Sequence, residues 1–170
     1  MGLEEFYQQL SVEDMNLYCE IADYAAELGY KPKKAKTQTL NFVFSNNKTK
    51  KHIMKFSIEK GTPILKMKFY ATAAYSHIFR ESLRAVVEEF NYKYTGCYNC
   101  GKCKDKLEGY EYTYEDGRTY FRCGGELISL FPITDKEVPE IKKLLHAQHQ
   151  YYLEKEMNNK IGKAKSLEGA

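Results

Sequence analysis

The sequence predicts an α+β fold, an antiparallel sheet of about five to six strands covered by helices, with a cysteine-rich loop and hairpin attached. Three observations predict it. Residues 40–69 alternate apolar and polar side chains with period two. Segments near 11–29, 77–90 and 138–152 carry apolar residues at helical period. Between the last two lies "YEYTYEDGRTYFRC", two tyrosine-rich arms around Asp116-Gly117.

The first helix is expected in "SVEDMNLYCEIADYAAELGY". Ser11 suits an N-cap, Glu13 and Asp14 favour the positive end of the helix dipole, and Gly29 stops it. Met15, Cys19, Ala22 and Ala26 recur at steps of 4, 3 and 4, which predicts one buried stripe with Cys19 as a small hydrophobe rather than a ligand.

Three strands follow. Leu40, Phe42 and Phe44, then Met54, Phe56 and Ile58, then Leu65, Met67 and Phe69 alternate, with "NNKTK" and "EKGTP" as turns. A meander of this pattern buries one face. The opposite face would carry Lys55, Lys66 and Lys68 as an anion-binding surface. A second helix, with Ile78, Phe79, Leu83, Val86, Val87 and Phe90 as its stripe, would cover the apolar face. After the hairpin, "ELISLF" adds a strand. A last helix is expected after Pro132, with Thr134 or Asp135 capping an initial turn, Pro139 in its first turn, and Ile141, Leu144, Leu145 and Tyr152 facing inward. Residues 1–154 are expected as one domain and 155–170 as a flexible tail.

The segment "YTGCYNCGKC" places Cys97, Cys100 and Cys103 at C-x2-C-x2-C spacing. Asp116-Gly117 suits a two-residue type I′ turn. That register would pair Tyr112 with Phe121, Glu111 with Arg122 and Tyr110 with Cys123. Tyr110, Tyr112, Tyr114, Phe121 and Cys123 would then share an apolar face, and Cys123 would return beside the cysteine loop. Cys97, Cys100, Cys103 and Cys123 form the expected metal set. Four thiolates satisfy the tetrahedral preference of zinc and leave no open position for a substrate, which points to a structural role. An iron–sulfur cluster, or redox-active or metal-free thiols, are the alternatives, the first without the C-x3-C-P continuation of bacterial ferredoxins. Lys102, Lys104 and Lys106 would favour thiolates in each case. "CYNCGKC…FRCGG" resembles a zinc-ribbon knuckle over about residues 97–127, with three ligands first and one last instead of two and two.

The net charge of +3 conceals a polar layout. Residues 1–30 hold seven acids and no Lys or Arg, whereas residues 31–68 hold eleven Lys and one acid, Glu59. The two segments either neutralise each other or leave lysines for a polyanion such as nucleic acid, an acidic protein or a phosphorylated ligand. No P-loop, dinucleotide fingerprint, H-E-x-x-H or G-x-S-x-G occurs. His146 and His149 share a helix face and are expected as ordinary polar or partly buried residues, and His52 and His77 carry no further signal. No apolar run reaches the roughly 18 residues of a membrane helix, and the acidic start lacks a signal-peptide pattern. The expectation is a cytoplasmic, zinc-stabilised, non-catalytic binding or regulatory domain with an anionic partner and no membrane partner. A small-molecule-binding protein or enzyme with a pocket between sheet and helices, or an iron–sulfur redox protein, is the alternative.

Overall fold

A computed structural model describes residues 2–103, 106–130 and 132–168, with backbone alone from 162 onward. Among the described residues the elements run α1 (Glu4–Tyr7), α2 (Val12–Glu27), β1 (Tyr30–Lys34), β2 (Asn41–Asn46), β3 (Lys51–Glu59), β4 (Thr62–Met67), α3 (His77–Glu88), β5 (Gly109–Thr113), β6 (Thr119–Cys123), β7 (Ile128–Leu130) and α4 (Val138–Glu168). The fold is α+β. A five-stranded antiparallel sheet has the order β1-β2-β3-β4-β7, and β5-β6 form a separate two-stranded sheet.

The meander follows the expected alternation. Phe42, Phe44, Met54, Phe56, Leu65 and Met67 are all buried and share the helix-covered face. A bulge between Phe44 and Ser45 leaves Ile53 without a partner on β2, and Ile53 and Met54 are both buried in succession. Rings from α1 and α2 close over this face. Phe6 stacks on Phe56 at 5.3 Å, and Tyr18 meets Phe56 edge-on at 4.9 Å.

Ser11 caps α2 as expected, accepting the Asp14 N–H at 3.0 Å, and Gly29 ends the helix at φ 84°. The stripe is rotated from the expected one. Leu17, Tyr18, Ile21, Ala22 and Ala25 are buried, while Cys19 is half-buried and Ala26 exposed. Leu17, Tyr18 and Ile21 take the core positions because they remove more apolar area from water than Cys19 or Ala26 would. In α3, Ile78, Phe79, Leu83 and Val87 are buried as expected, but Phe90 lies past the helix end and is 60% exposed. All four apolar residues expected to face inward from α4 are buried.

β1 escapes the sequence reading. "YKPKK" holds a proline and three lysines, a poor strand composition. It is tolerated because β1 is an edge strand, where Pro32 needs no ladder N–H and the lysines deter further pairing.

The hairpin register differs by one residue from the expected one. Gly109 pairs with Cys123, Tyr110 with Arg122, Glu111 with Phe121, Tyr112 with Tyr120 and Thr113 with Thr119. The turn is the cause. Asp116 keeps an ordinary φ, so the type I′ turn does not form. The Gly117 N–H donates to the Tyr114 carbonyl at 3.0 Å, Gly117 sits at φ 83°, and the Tyr114 N–H reaches the Arg118 carbonyl at 2.9 Å. This is a three-residue loop, 115–117, closed by a glycine bulge, one residue longer than the two-residue turn. The slip moves Phe121 and Cys123 to the face opposite Tyr110 and Tyr112. Tyr110 and Tyr112 go into the core beside α3, and Arg122 donates to the Val86 carbonyl at 3.3 Å.

Gly109 is what the slipped register requires. A Cβ there would stand 2.3 Å from Phe121 Cζ and 2.4 Å from the Arg122 carbonyl oxygen. Gly109→Ala is therefore expected to cost about 1–3 kcal/mol in urea denaturation, through backbone displacement. Gly117→Ala meets open space and only the left-handed φ opposes it, so its cost should be about 1 kcal/mol. A larger loss at Gly117 than at Gly109 would contradict this packing.

Candidate metal centre and lysine face

The register returns Cys123 to the cavity that Cys97, Cys100 and Cys103 also line. α3 ends at Glu88, and Phe90, Asn91 and Tyr92 follow with φ of 55°, 52° and 62°. Three consecutive left-handed residues reverse the chain sharply, at about 1–2 kcal/mol each. Tyr92 stacked on Tyr120 at 4.7 Å and 19° helps to hold that reversal. The chain then runs parallel to β6. Gly96 pairs with Arg122, and its N–H donates to the Phe121 carbonyl at 2.6 Å. One residue further along each chain, Cys97 comes alongside Cys123.

The loop returns through Glu108 and Gly109. The Gly124 N–H donates to the Glu108 carbonyl at 2.9 Å, and a Cβ on Gly124 would stand 2.7 Å from that oxygen. Gly124 thus allows a close backbone approach at the end of β6.

Cys97, Cys100, Cys103 and Cys123 all line one cavity of about 240 Å³, with Leu107 and Phe121 among its apolar walls. Backbone amides point at three of the four sulfurs. Asn99 N–H donates to Cys97 Sγ at 3.4 Å, Glu108 N–H to Cys103 Sγ at 3.4 Å, and Gly125 N–H to Cys123 Sγ at 3.5 Å. Cys123 is buried, Cys97 and Cys103 half-buried, and Cys100 exposed. Among the described residues, no three Cys, His, Asp or Glu side chains stand close enough together to hold a metal ion. Lys102 is exposed and Lys104 lies outside the described residues. Cys19, on α2, does not line this cavity.

Sequence reasoning missed Glu108 and misplaced Lys68. Glu108 is held by Tyr151, whose hydroxyl donates to it at 3.0 Å, and by an ion pair with Lys155. Both partners sit on α4, so the loop is anchored to the helical layer. Lys68, expected on an exposed face, is instead 7% exposed. Burial is the main reason its ammonium is pulled down to about 8, with Lys51 adding repulsion.

The other lysines align across the sheet. Lys33 pairs with Val43, Val43 with Lys55, and Lys55 with Lys66. Lys33, Lys55 and Lys66 therefore share one row on the face away from the helices. Lys55 and Lys66 are direct cross-strand neighbours, an unfavourable like-charge pair. The Lys55 pKa is lowered by burial and then by Lys66, and Glu59 relieves Lys66 with an ion pair of 2.7 Å. The acidic first segment does not cover this row. Glu5 reaches Lys34 at 2.5 Å, while Glu20 turns to Lys142 of α4 at 2.7 Å.

His149 is buried, with Nδ1 3.3 Å from the Tyr30 hydroxyl, and His146 Nδ1 is 3.3 Å from the Tyr24 hydroxyl. His149 thus meets the start of β1 and His146 meets α2. Among the described residues no helix is long and apolar enough to cross a membrane. Comparison with protein-family models, with curated proteins and with solved structures finds no match to this chain.

His52 reports on the junction between loop and sheet. Its pKa is lowered to about 4, first by burial and then by Lys68, Lys51 and Lys102. A base whose folded pKa is depressed leaves the unfolded chain holding more protons between its ordinary value of 6.5 and about 4. Stability should therefore fall as pH drops through that window, by an amount on the order of 2 kcal/mol. Denaturant titrations from pH 7 to 4 test this. His52→Gln should flatten that part of the curve, and an unchanged slope would refute the assignment.

Proposed function

We propose that Cys97, Cys100, Cys103 and Cys123 bind one zinc ion in a closed four-thiolate site. The site fastens the loop and the β5-β6 hairpin to the α+β body, and the protein is a non-catalytic binding or regulatory domain for an anionic partner. The metal assignment is supported by four thiols lining one cavity, with backbone N–H groups directed at Sγ of Cys97, Cys103 and Cys123. Amide donors of this kind stabilise thiolate over thiol and orient ligands from outside the coordination shell. Zinc requires the sulfurs to close in to about 2.3 Å from the ion. Gly101 and Gly125, exposed next to two of the ligand segments, leave the backbone room to do so. A tetrathiolate leaves no coordination position for substrate, so its contribution is to folding.

The observation that carries the function is the row of Lys33, Lys55 and Lys66. Two of its members repel each other directly, and the acidic segment does not neutralise it. An anion laid across the row would relieve that repulsion. The exposed Lys31, Lys48, Lys50 and Lys51 extend the positive field along the edge strand and the β2-β3 turn. Lys68, being buried, does not take part.

The metal assignment predicts about one zinc per chain, read by elemental analysis of purified protein. Cys123→Ser should abolish stoichiometric binding, and Cys19→Ser should leave it unchanged. A colourless protein with zinc excludes the iron–sulfur alternative. Chelation should speed hydrogen exchange within residues 94–127 and leave the five-stranded sheet protected. Full zinc retention in Cys123→Ser would overturn the ligand set.

The lysine row predicts salt-sensitive binding to a polyanion, with a log–log slope of about −0.9 per duplex phosphate contacted. Replacing Lys33, Lys55 and Lys66 with Gln should flatten the slope by up to about three units. Removing the Lys55–Lys66 repulsion should at the same time leave stability equal or slightly higher. Binding indifferent to salt between about 50 and 200 mM would refute the anionic partner.

A further inference from the structure

A second cavity, of about 230 Å³, adjoins the cysteine cavity and shares Leu107, Glu108 and Phe121 with it. It lies between the loop after β4 and the outer face of the hairpin. Four aromatic side chains line it: Tyr70, Tyr75, Phe121 and Tyr151. The Tyr70 and Tyr151 rings stand 5.7 Å apart at 85°, which makes two walls meeting at a right angle.

The tyrosine hydroxyls are already engaged inside the protein. Tyr70 Oη lies 3.2 Å from Tyr152 Oη, Tyr151 donates to Glu108, and Tyr75 Oη accepts the Glu111 N–H at 3.0 Å. What these residues offer a ligand is ring surface, whose quadrupole attracts cations.

Two carboxylates stand on the lining, Glu108, which is ion-paired with Lys155, and Glu111. Glu108 uses Oε1 for both Tyr151 and Lys155, which leaves Oε2 without a hydrogen-bond partner among the described residues. The Glu111 carboxylate has no ion-pair partner among the described residues, and the slipped register places it opposite Phe121 on the same face. Lys106 is the only cation among the described lining residues, and it is exposed. The volume lies below the roughly 300–1,000 Å³ of pockets for drug-sized ligands, so the ligand is small.

We propose that this cavity binds a small methylated ammonium group, with Tyr70, Tyr75, Phe121 and Tyr151 supplying ring surface and Glu111 supplying countercharge. This goes beyond the zinc and lysine assignments. Its chemistry is opposite in sign to the lysine face, and it separates the two surfaces by ligand charge.

The test is calorimetric or NMR titration of the zinc-loaded full chain with choline and with its neutral isostere 3,3-dimethyl-1-butanol. A parallel titration uses the free amino acid Nε-trimethyl-lysine. Choline or trimethyl-lysine should bind saturably, and the isostere should bind at least about tenfold more weakly than choline, since shape is shared and only charge is lost. The tighter of the two cations identifies whether the group comes from a small metabolite or a modified side chain. Glu111→Gln, at an exposed position that leaves the fold intact, should weaken cation binding several-fold, and so should Tyr75→Leu. Equal affinity for choline and its isostere would overturn the proposal, as would the absence of saturable binding by either cation. Zinc content, measured on the same samples, separates failure of this site from failure of the metal centre.

Discussion

The pairing of Gly109 with Cys123 is the contact on which the arrangement of the candidate sites depends. It sets the hairpin one residue away from the register that a two-residue turn would impose. Side chains alternate faces along a strand, so one residue of slip exchanges every side chain between faces. Tyr110 and Tyr112 enter the core, while Phe121 and Cys123 turn toward the cysteine loop. Gly109 makes the pairing possible because it has no Cβ where the Phe121 ring lies.

From this pairing the two cavities follow together. Phe121 stands between them and lines both. Glu108, one residue before the strand, has its backbone tied to Gly124 and its carboxylate tied to Tyr151 and Lys155 on α4. The loop is thereby fastened at the hairpin and at the helical layer. A metal at the four cysteines would add a third attachment and fix the distance between the Cys97 segment and β6. Because Phe121 is common to both walls, tightening at the thiols would be felt in the aromatic cavity through packing.

Charge is divided between surfaces rather than cancelled. The acidic first segment spends Glu5 on Lys34 and Glu20 on Lys142, so it braces β1 and α4 and leaves the lysine row uncovered. Lys68 shows the cost of the opposite choice. Its position in the alternation puts it outside, but the cysteine loop and the start of β3 close over it, and its ammonium is destabilised. His52 feels the same crowding.

Much of this was legible in the sequence. The meander, the α3 and α4 stripes and the Ser11 cap are local patterns with periods of 2 or 3.6, and each element carries its own signal. The cysteine spacing and the return of Cys123 were legible for the same reason, since a hairpin with either turn brings the strand back beside Cys103. Three features were not legible. Asp116-Gly117 is compatible with two turns, and packing of Tyr110 and Tyr112 against α3 selects the longer one. β1 has no strand propensity and exists because β2 offers an edge. The rotation of α2 is decided by the face that carries Leu17, Tyr18 and Ile21, where the Tyr18 ring meets Phe6 and Phe56. In each case the deciding energy comes from contacts between residues far apart in the chain, whereas the sequence alone determines the periodicity and the chemistry each element brings to them.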